Sequence, residues 1–175
     1  MTIAVYPGSF DPVTYGHVDI VTRVAHLFKE VIVGVYDTPP KNLLFTTQER
    51  VEMFRGSVTH LKNVRVTQYT GLTVHFAQSM KAQVVVRGLR MFSDFEREFE
   101  MALMNKKLAP GIELVCMMSS LEYQFVSSSL LKEVFILRGD ADSLVPPHVA
   151  TAMRKKLVEK GLIPAAPPKR ASARK

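Results

Sequence analysis

The chain has one cysteine, Cys116, among its 175 residues. No disulfide can therefore form within it, and a packed core must carry its stability, which the length of a single domain allows. Cys116 lies in the apolar run 114–118, which reads as a buried strand. The expected role is a small core residue, not a nucleophile. No apolar stretch approaches the roughly 20 residues of a membrane-spanning helix. Residues 1–6 lack the basic start of a signal peptide and run straight into Pro7 and Gly8, so a soluble, cytoplasmic protein with no membrane partner is expected. The chain also lacks a Gly-x-Gly-x-x-Gly fingerprint and any Walker Gly-Lys-Ser/Thr sequence. His26, His60, His75 and His148 are scattered without ligand spacing, so no protein metal cage is expected.

Charge of one sign is in excess, though unevenly. Of 23 basic residues, four lie after Gly161 in a Pro/Ala-rich stretch holding none of the 16 acidic ones, which lowers the net charge of the remainder from +7 to +3. Residues 163–175 read as a disordered basic tail on a single domain, 1–162. A body so modestly basic suits a protein that binds small polyphosphates as well as one that binds nucleic acid, and the concentration of charge in the tail weakens the nucleic-acid reading.

Strand-like and helix-like segments alternate. Val/Ile-rich runs at 2–6, 30–36, 63–67, 82–87 and 112–117 read as strands, and Ile20, Val21, Val24, Ala25 and Phe28 recur at helical spacing. Further helices are expected from Thr46 or Thr47, over 72–80, from a Ser93 or Asp94 cap to about Lys107, over 127–137, and from Pro146-Pro147 to about Lys160. Nearly continuous apolar strands separated by helices predict an α/β fold: a doubly wound, Rossmann-like parallel five-stranded sheet with helices on both faces. Ligands of such sheets bind beyond the carboxyl ends of the strands. The polar residues expected there are Gly8 and Ser9, Lys41, Arg87 and Arg90, and the run Ser127, Ser128 and Ser129. Cations and small donors converging from separate strands suit a polyphosphate.

The opening loop, Pro7-Gly8-Ser9-Phe10-Asp11-Pro12, is expected to leave the strand at Pro7. Its Gly-Ser pair lets phosphate approach backbone N–H groups, and Gly16-His17 opens a helix whose N-terminus favours an anion. Taken alone, these residues read more readily as a tight strand-to-helix connection with His17 as an N-terminal polar residue.

The whole opening is more specific. Thr14-Tyr15-Gly16-His17 after Gly8-Ser9-Phe10-Asp11-Pro12 resembles the Thr/His-x-Gly-His signature of the nucleotidyltransferase superfamily. With Arg87-Gly88-Leu89-Arg90, Asp94-Phe95-Glu96, Met104-Asn105-Lys106 and Val126-Ser127-Ser128-Ser129, the chain resembles the bacterial phosphopantetheine adenylyltransferases over about residues 2–160. The resemblance implies transfer of an adenylyl group from ATP to 4′-phosphopantetheine by direct attack, giving dephospho-coenzyme A and pyrophosphate. By it, His17 stabilises charge at the α-phosphate. Ser9, Phe10, Gly88, Leu89, Arg90, Glu98, Tyr123, Gln124, Phe125, Val126 and the three serines meet ATP. Ser9, Lys41, Thr73 and Arg87 meet the acceptor. It further implies Mg2+ arriving with ATP, a homohexamer, and coenzyme A as a candidate feedback ligand. On the residues alone, Glu98 reads as part of a solvated helix face with Glu96 and Glu100.

Overall fold

The computed structural model describes residues 2–39 and 42–164. Five strands, β1 (Ile3–Gly8), β2 (Glu30–Tyr36), β3 (Val64–Tyr69), β4 (Val84–Leu89) and β5 (Glu113–Met118), form one sheet in the order β3-β2-β1-β4-β5. Every pairing is parallel. Six α-helices connect and flank them: α1 (Tyr15–Leu27), α2 (Thr47–Ser57), α3 (Thr73–Ser79), α4 (Phe92–Leu108), α5 (Ser128–Ile136) and α6 (Pro147–Glu159). This is the expected doubly wound Rossmann-like architecture. No helix among the described residues is long and apolar enough to cross a membrane.

Strand alternation sends neighbouring residues into two separate cores. Ala4, Tyr6, Val31, Val33, Val84 and Val86 pack with the apolar stripes of α1, α2, α5 and α6. On the other face, Val5, Ile32 and Val85 meet Val74, Phe76 and Ala77 of α3. Helix starts follow local chemistry. Thr14 and Thr46 each close a capping box, with His17 and Glu49 respectively, and Ser127 caps α5 by accepting from Leu130 N–H.

Three expectations fail, each for a physical reason. β1 does not stop before Pro7: Pro7 and Gly8 stay paired with Gly34 and Val35 of β2. On the β4 side the ladder has already ended at Val5, and Arg87 Nη1 donates to the Pro7 carbonyl at 2.7 Å, so the missing proline N–H leaves nothing unmet. Neither Ser93 nor Asp94 caps α4. Met91 stands at the cap without a side-chain bond, because Asp94 is turned back to accept from Arg90 N–H at 3.0 Å. Cys116 is exposed rather than buried. It lies on β5, an edge strand of alternating half-buried and exposed residues, and burial of the thiol by its immediate neighbours still pushes its pKa up.

Candidate functional site

β1 ends in a turn built around Phe10. This residue has a left-handed φ of 49°, and its ring is folded beneath the strand end, 3 % exposed. A Cβ on Gly8 would lie 2.7 Å from that ring, so only glycine fits above it. The ring also meets His17 and Phe54 edge-on, at 5.0 and 4.6 Å between centroids. What Phe10 can offer a ligand is therefore backbone, since its side chain is the floor of the turn.

His17 sits in the first turn of α1. Its Nδ1 accepts from Thr14 N–H at 3.0 Å and lies 3.1 Å from Thr14 Oγ1. A ring nitrogen that accepts a backbone N–H carries no proton, so a neutral His17 has its proton on Nε2. The capping box thus selects the tautomer as well as starting the helix. Gly16 packs closely, since a Cβ there would lie 3.3 Å from Tyr123 Cβ, a tight contact. That contact brings the 123–129 segment against the opening loop.

Two buried charges support this loop from behind. Asp11, 1 % exposed, accepts from Leu44 N–H and Phe45 N–H, both at 2.9 Å, and from Lys132 Nζ at 2.8 Å. One carboxylate thereby ties the opening loop to the 44–45 segment and to α5. Arg50 is fully buried and donates to the carbonyls of Ser9, Tyr36 and Asp37 at 2.7, 2.8 and 3.2 Å and to Thr47 Oγ1 at 2.9 Å. Sequence reasoning gave neither Arg50 nor Asp11 a task. Period alone cannot mark a helix charge as inward, although the Val51, Met53 and Phe54 that flank Arg50 were a usable signal.

On the far side of the switch between β1 and β4, Arg87 Nη2 donates to Glu98 Oε1 at 2.6 Å. Burial works against the Arg87 charge, but the Glu98 bond and charge outweigh it and hold the guanidinium above the usual arginine range. Glu98 is the one buried residue of α4, which corrects the solvated-face reading. A helix face that crosses a half-buried arginine can hold an acid, as the residues alone did not reveal. Arg90 brackets Asp94 through Nε and Nη2, at 3.2 and 3.3 Å, and reaches the Val126 carbonyl at 3.0 Å. Asp94 is partly buried, which raises its pKa, yet these Arg90 bonds prevail and leave the carboxyl below its ordinary range.

The serine run follows at the start of α5. Ser127 Oγ is occupied as the cap at 3.1 Å, Ser128 Oγ donates to the Pro12 carbonyl at 2.8 Å, and Ser129 is exposed. Val126 is buried, while Tyr123 and Gln124 are half-buried and Phe125 is 62 % exposed. Asp19 of α1 fastens the approach to this segment, accepting from Ser120 Oγ at 2.9 Å and Ser120 N–H at 3.2 Å. Gly88 and Leu89 end β4 beside Arg90. Thr73 opens α3 at the end of β3, its hydroxyl 2.9 Å from Tyr69 Oη. Lys41 and the tail beyond residue 164 lie outside the described residues. Among the described residues no group of three or more His, Cys, Asp or Glu side chains could hold a metal ion.

Ser9, His17, Arg87, Arg90 and the start of α5 thus converge at the carboxyl edge of the sheet, around the crossing point between β1 and β4. Such a site offers backbone N–H groups, an imidazole donor, two guanidinium groups and a helix N-terminus, which together suit a substrate of several phosphates.

A family model described as cytidylyltransferase-like matches residues 5–134. The chain is 54 % identical over 156 residues to a phosphopantetheine adenylyltransferase of Heliobacterium modesticaldum, covering 89 % of this chain and 93 % of that one. It is 47 % identical over 161 residues to the enzyme of that name from Carboxydothermus hydrogenoformans, covering 92 % and 99 %. Among solved structures, a putative nicotinate-nucleotide adenylyltransferase from Vibrio parahaemolyticus superposes with a TM-score of 0.65 at 18 % identity, covering 93 % of this chain and 95 % of that one. The Plasmodium falciparum nicotinic acid mononucleotide adenylyltransferase complexed with NaAD gives 0.63 at 15 %, covering 91 % and 96 %. At such identities these two structures speak for the fold.

Proposed function

Since the chain belongs to the phosphopantetheine adenylyltransferases, nucleotidyltransferase enzymes of coenzyme A biosynthesis, we propose that it performs their transfer by direct in-line attack. A phosphate oxygen of 4′-phosphopantetheine bonds to the α-phosphorus of ATP. The bond from that phosphorus to the bridging oxygen breaks, and pyrophosphate leaves with the electron pair. No protein nucleophile is needed, so the chain contributes alignment and charge stabilisation.

The observation that carries this reading is the convergence of His17, Arg87, Arg90 and the α5 N-terminus on one strand-end crevice. His17 Nε2–H donates to an α-phosphate oxygen as charge develops there, its Nδ1 being held by Thr14. Arg90 and the backbone of Gly88 and Leu89 take the nucleotide with the N–H groups of Ser127, Ser128 and Ser129, while Phe10 gives its N–H. Tyr123, Gln124, Phe125 and Val126 line the same nucleotide. Ser9, Arg87, Lys41 and Thr73 meet the acceptor. Glu98, which the resemblance puts on the nucleotide side, is bonded here to Arg87 and so also orients the acceptor's arginine. Lys132 is committed to Asp11 and acts as a tie, not a phosphate ligand.

Magnesium is proposed as the counterion of ATP, carried on its phosphates. The described residues present no cage for it, and no step is routed through it. A homohexamer working in the cytoplasm is also proposed. Phe92, Phe95, Phe99, Met101, Leu103 and Met104 of α4 are exposed at 46 to 75 %, more apolar surface than a lone protomer usually leaves in water. Coenzyme A, which shares its pantetheine arm with the acceptor, is proposed as an inhibitor at the same crevice. The deciding experiment is pyrophosphate release by the purified chain, with ATP plus 4′-phosphopantetheine set against CTP and other phosphorylated acceptors. Absence of release with the first pair defeats the assignment.

A further inference from the structure

Arg50 is the largest fully buried side chain among the described residues, and its placement is costly. Its Nε is buried without a hydrogen-bond partner among the described residues. No carboxylate oxygen among them is bonded to its guanidinium, Asp11 and Asp37 acting on it only through charge. A cation under such conditions persists where its surroundings fix it firmly. Its bonds have a common direction, since three of the four acceptors are the carbonyls of Ser9, Tyr36 and Asp37, at the carboxyl ends of β1 and β2.

The geometry of a trans peptide converts that inward pull into an outward one. The carbonyl of one residue and the N–H of the next point in opposite directions. With Ser9 O drawn 2.7 Å from Arg50 Nη1, the N–H of Phe10 points away from the Arg50 guanidinium. Phe10 itself holds a left-handed φ of 49°, a conformation that costs a non-glycine residue energy and needs an external restraint. Its buried ring supplies part of that restraint and Arg50 the rest.

We infer that Arg50 is a positioning residue of the proposed transfer, orienting the Ser9–Phe10 peptide so that its N–H faces the reacting phosphate. It touches neither substrate. It acts through the peptide plane, and its positive charge lies directly behind the place where negative charge develops. The inference rests on the adenylyl-transfer reading of the site.

The test is steady-state kinetics of Arg50→Lys with ATP and 4′-phosphopantetheine, beside a core variant, Met153→Leu, chosen as a stability control. Lysine keeps the charge but cannot hold three carbonyls in a planar fork. The expected result is a kcat roughly 10- to 100-fold lower, with both KM values nearly unchanged, as befits an interaction felt in the transition state. The control keeps its kcat. A folded Arg50→Lys enzyme with wild-type kcat overturns the inference, as does a loss that the control shares at equal loss of melting temperature. If Arg50→Lys does not fold, Thr47→Val, which removes one partner of the fork, takes its place: a several-fold fall in kcat at unchanged KM supports the inference, and an unchanged kcat ends it. Wild-type protein that releases no pyrophosphate refutes the transfer reading itself, which separates that failure from a failure of Arg50.

Discussion

The two halves of the crevice are built in opposite ways. On the β1–β2 side the loops are fastened by buried charge: Asp11 binds three donors and Arg50 four acceptors, both almost without solvent contact. On the β4–β5 side the charges are paired side chain to side chain and stay partly open to water, with the Arg90 and Asp94 side chains 35 and 24 % exposed. There the sheet ends at an edge strand, β5. The half that carries His17 is fixed by charges buried within the single chain, while the other half keeps its paired charges partly open to water.

The largest expected effect tests that contrast in stability. Asp11→Ala strands the Lys132 ammonium and two buried N–H groups and should cost about 3–5 kcal/mol, whereas Asp94→Ala should cost under about 1 kcal/mol. Urea denaturation of both variants measures the gap, and equal losses would break the comparison.

His17→Ala comes next. It should lower kcat by about 10²- to 10³-fold, in the range of a lost transition-state donor, while removal of its half of the capping box costs only about 1 kcal/mol of stability. Activity that falls merely in step with the folded fraction would deprive His17 of its role.

For the open half, a charge on the apolar face of α4 should be felt between chains and not within one. Phe95→Asp is expected to shift the protein to smaller species in light scattering at unchanged helical content, and an unaltered assembly would argue that α4 is not the contact surface. The smallest effect belongs to Glu98→Gln, which weakens the hold on Arg87 and should raise the KM for 4′-phosphopantetheine about tenfold, the worth of one charge-assisted hydrogen bond. A lower KM would instead mean that Glu98 competes with the acceptor phosphate for the guanidinium.

Much of the framework was legible because it depends on period and punctuation. Val31, Ile32 and Val33 read as a strand buried on both faces, and Thr46 with Glu49 reads as a helix start. What escaped depended on neighbours distant in sequence. Cys116 was expected in the core, since an apolar run does not state whether its strand is central or at an edge. Asp94 lost the α4 cap to a competitor, the Arg90 backbone. In the site, the residues proposed to meet phosphate were visible as strand-end cations and small donors, but their supports were not. Asp11 finds its donors 33, 34 and 121 residues away, and nothing local announces such a meeting.

Pro7 gives the sheet one more property. β1 shares six residue pairs with β2 but only Ala4↔Val84 and Val5↔Val85 with β4, and the next rung is a guanidinium in place of a peptide. A proline at that point cannot supply the missing donor under any rearrangement of the backbone, so the seam between β1 and β4 cannot zip shut. The sheet therefore keeps a permanent notch where its two halves meet, bridged by the Arg87 side chain.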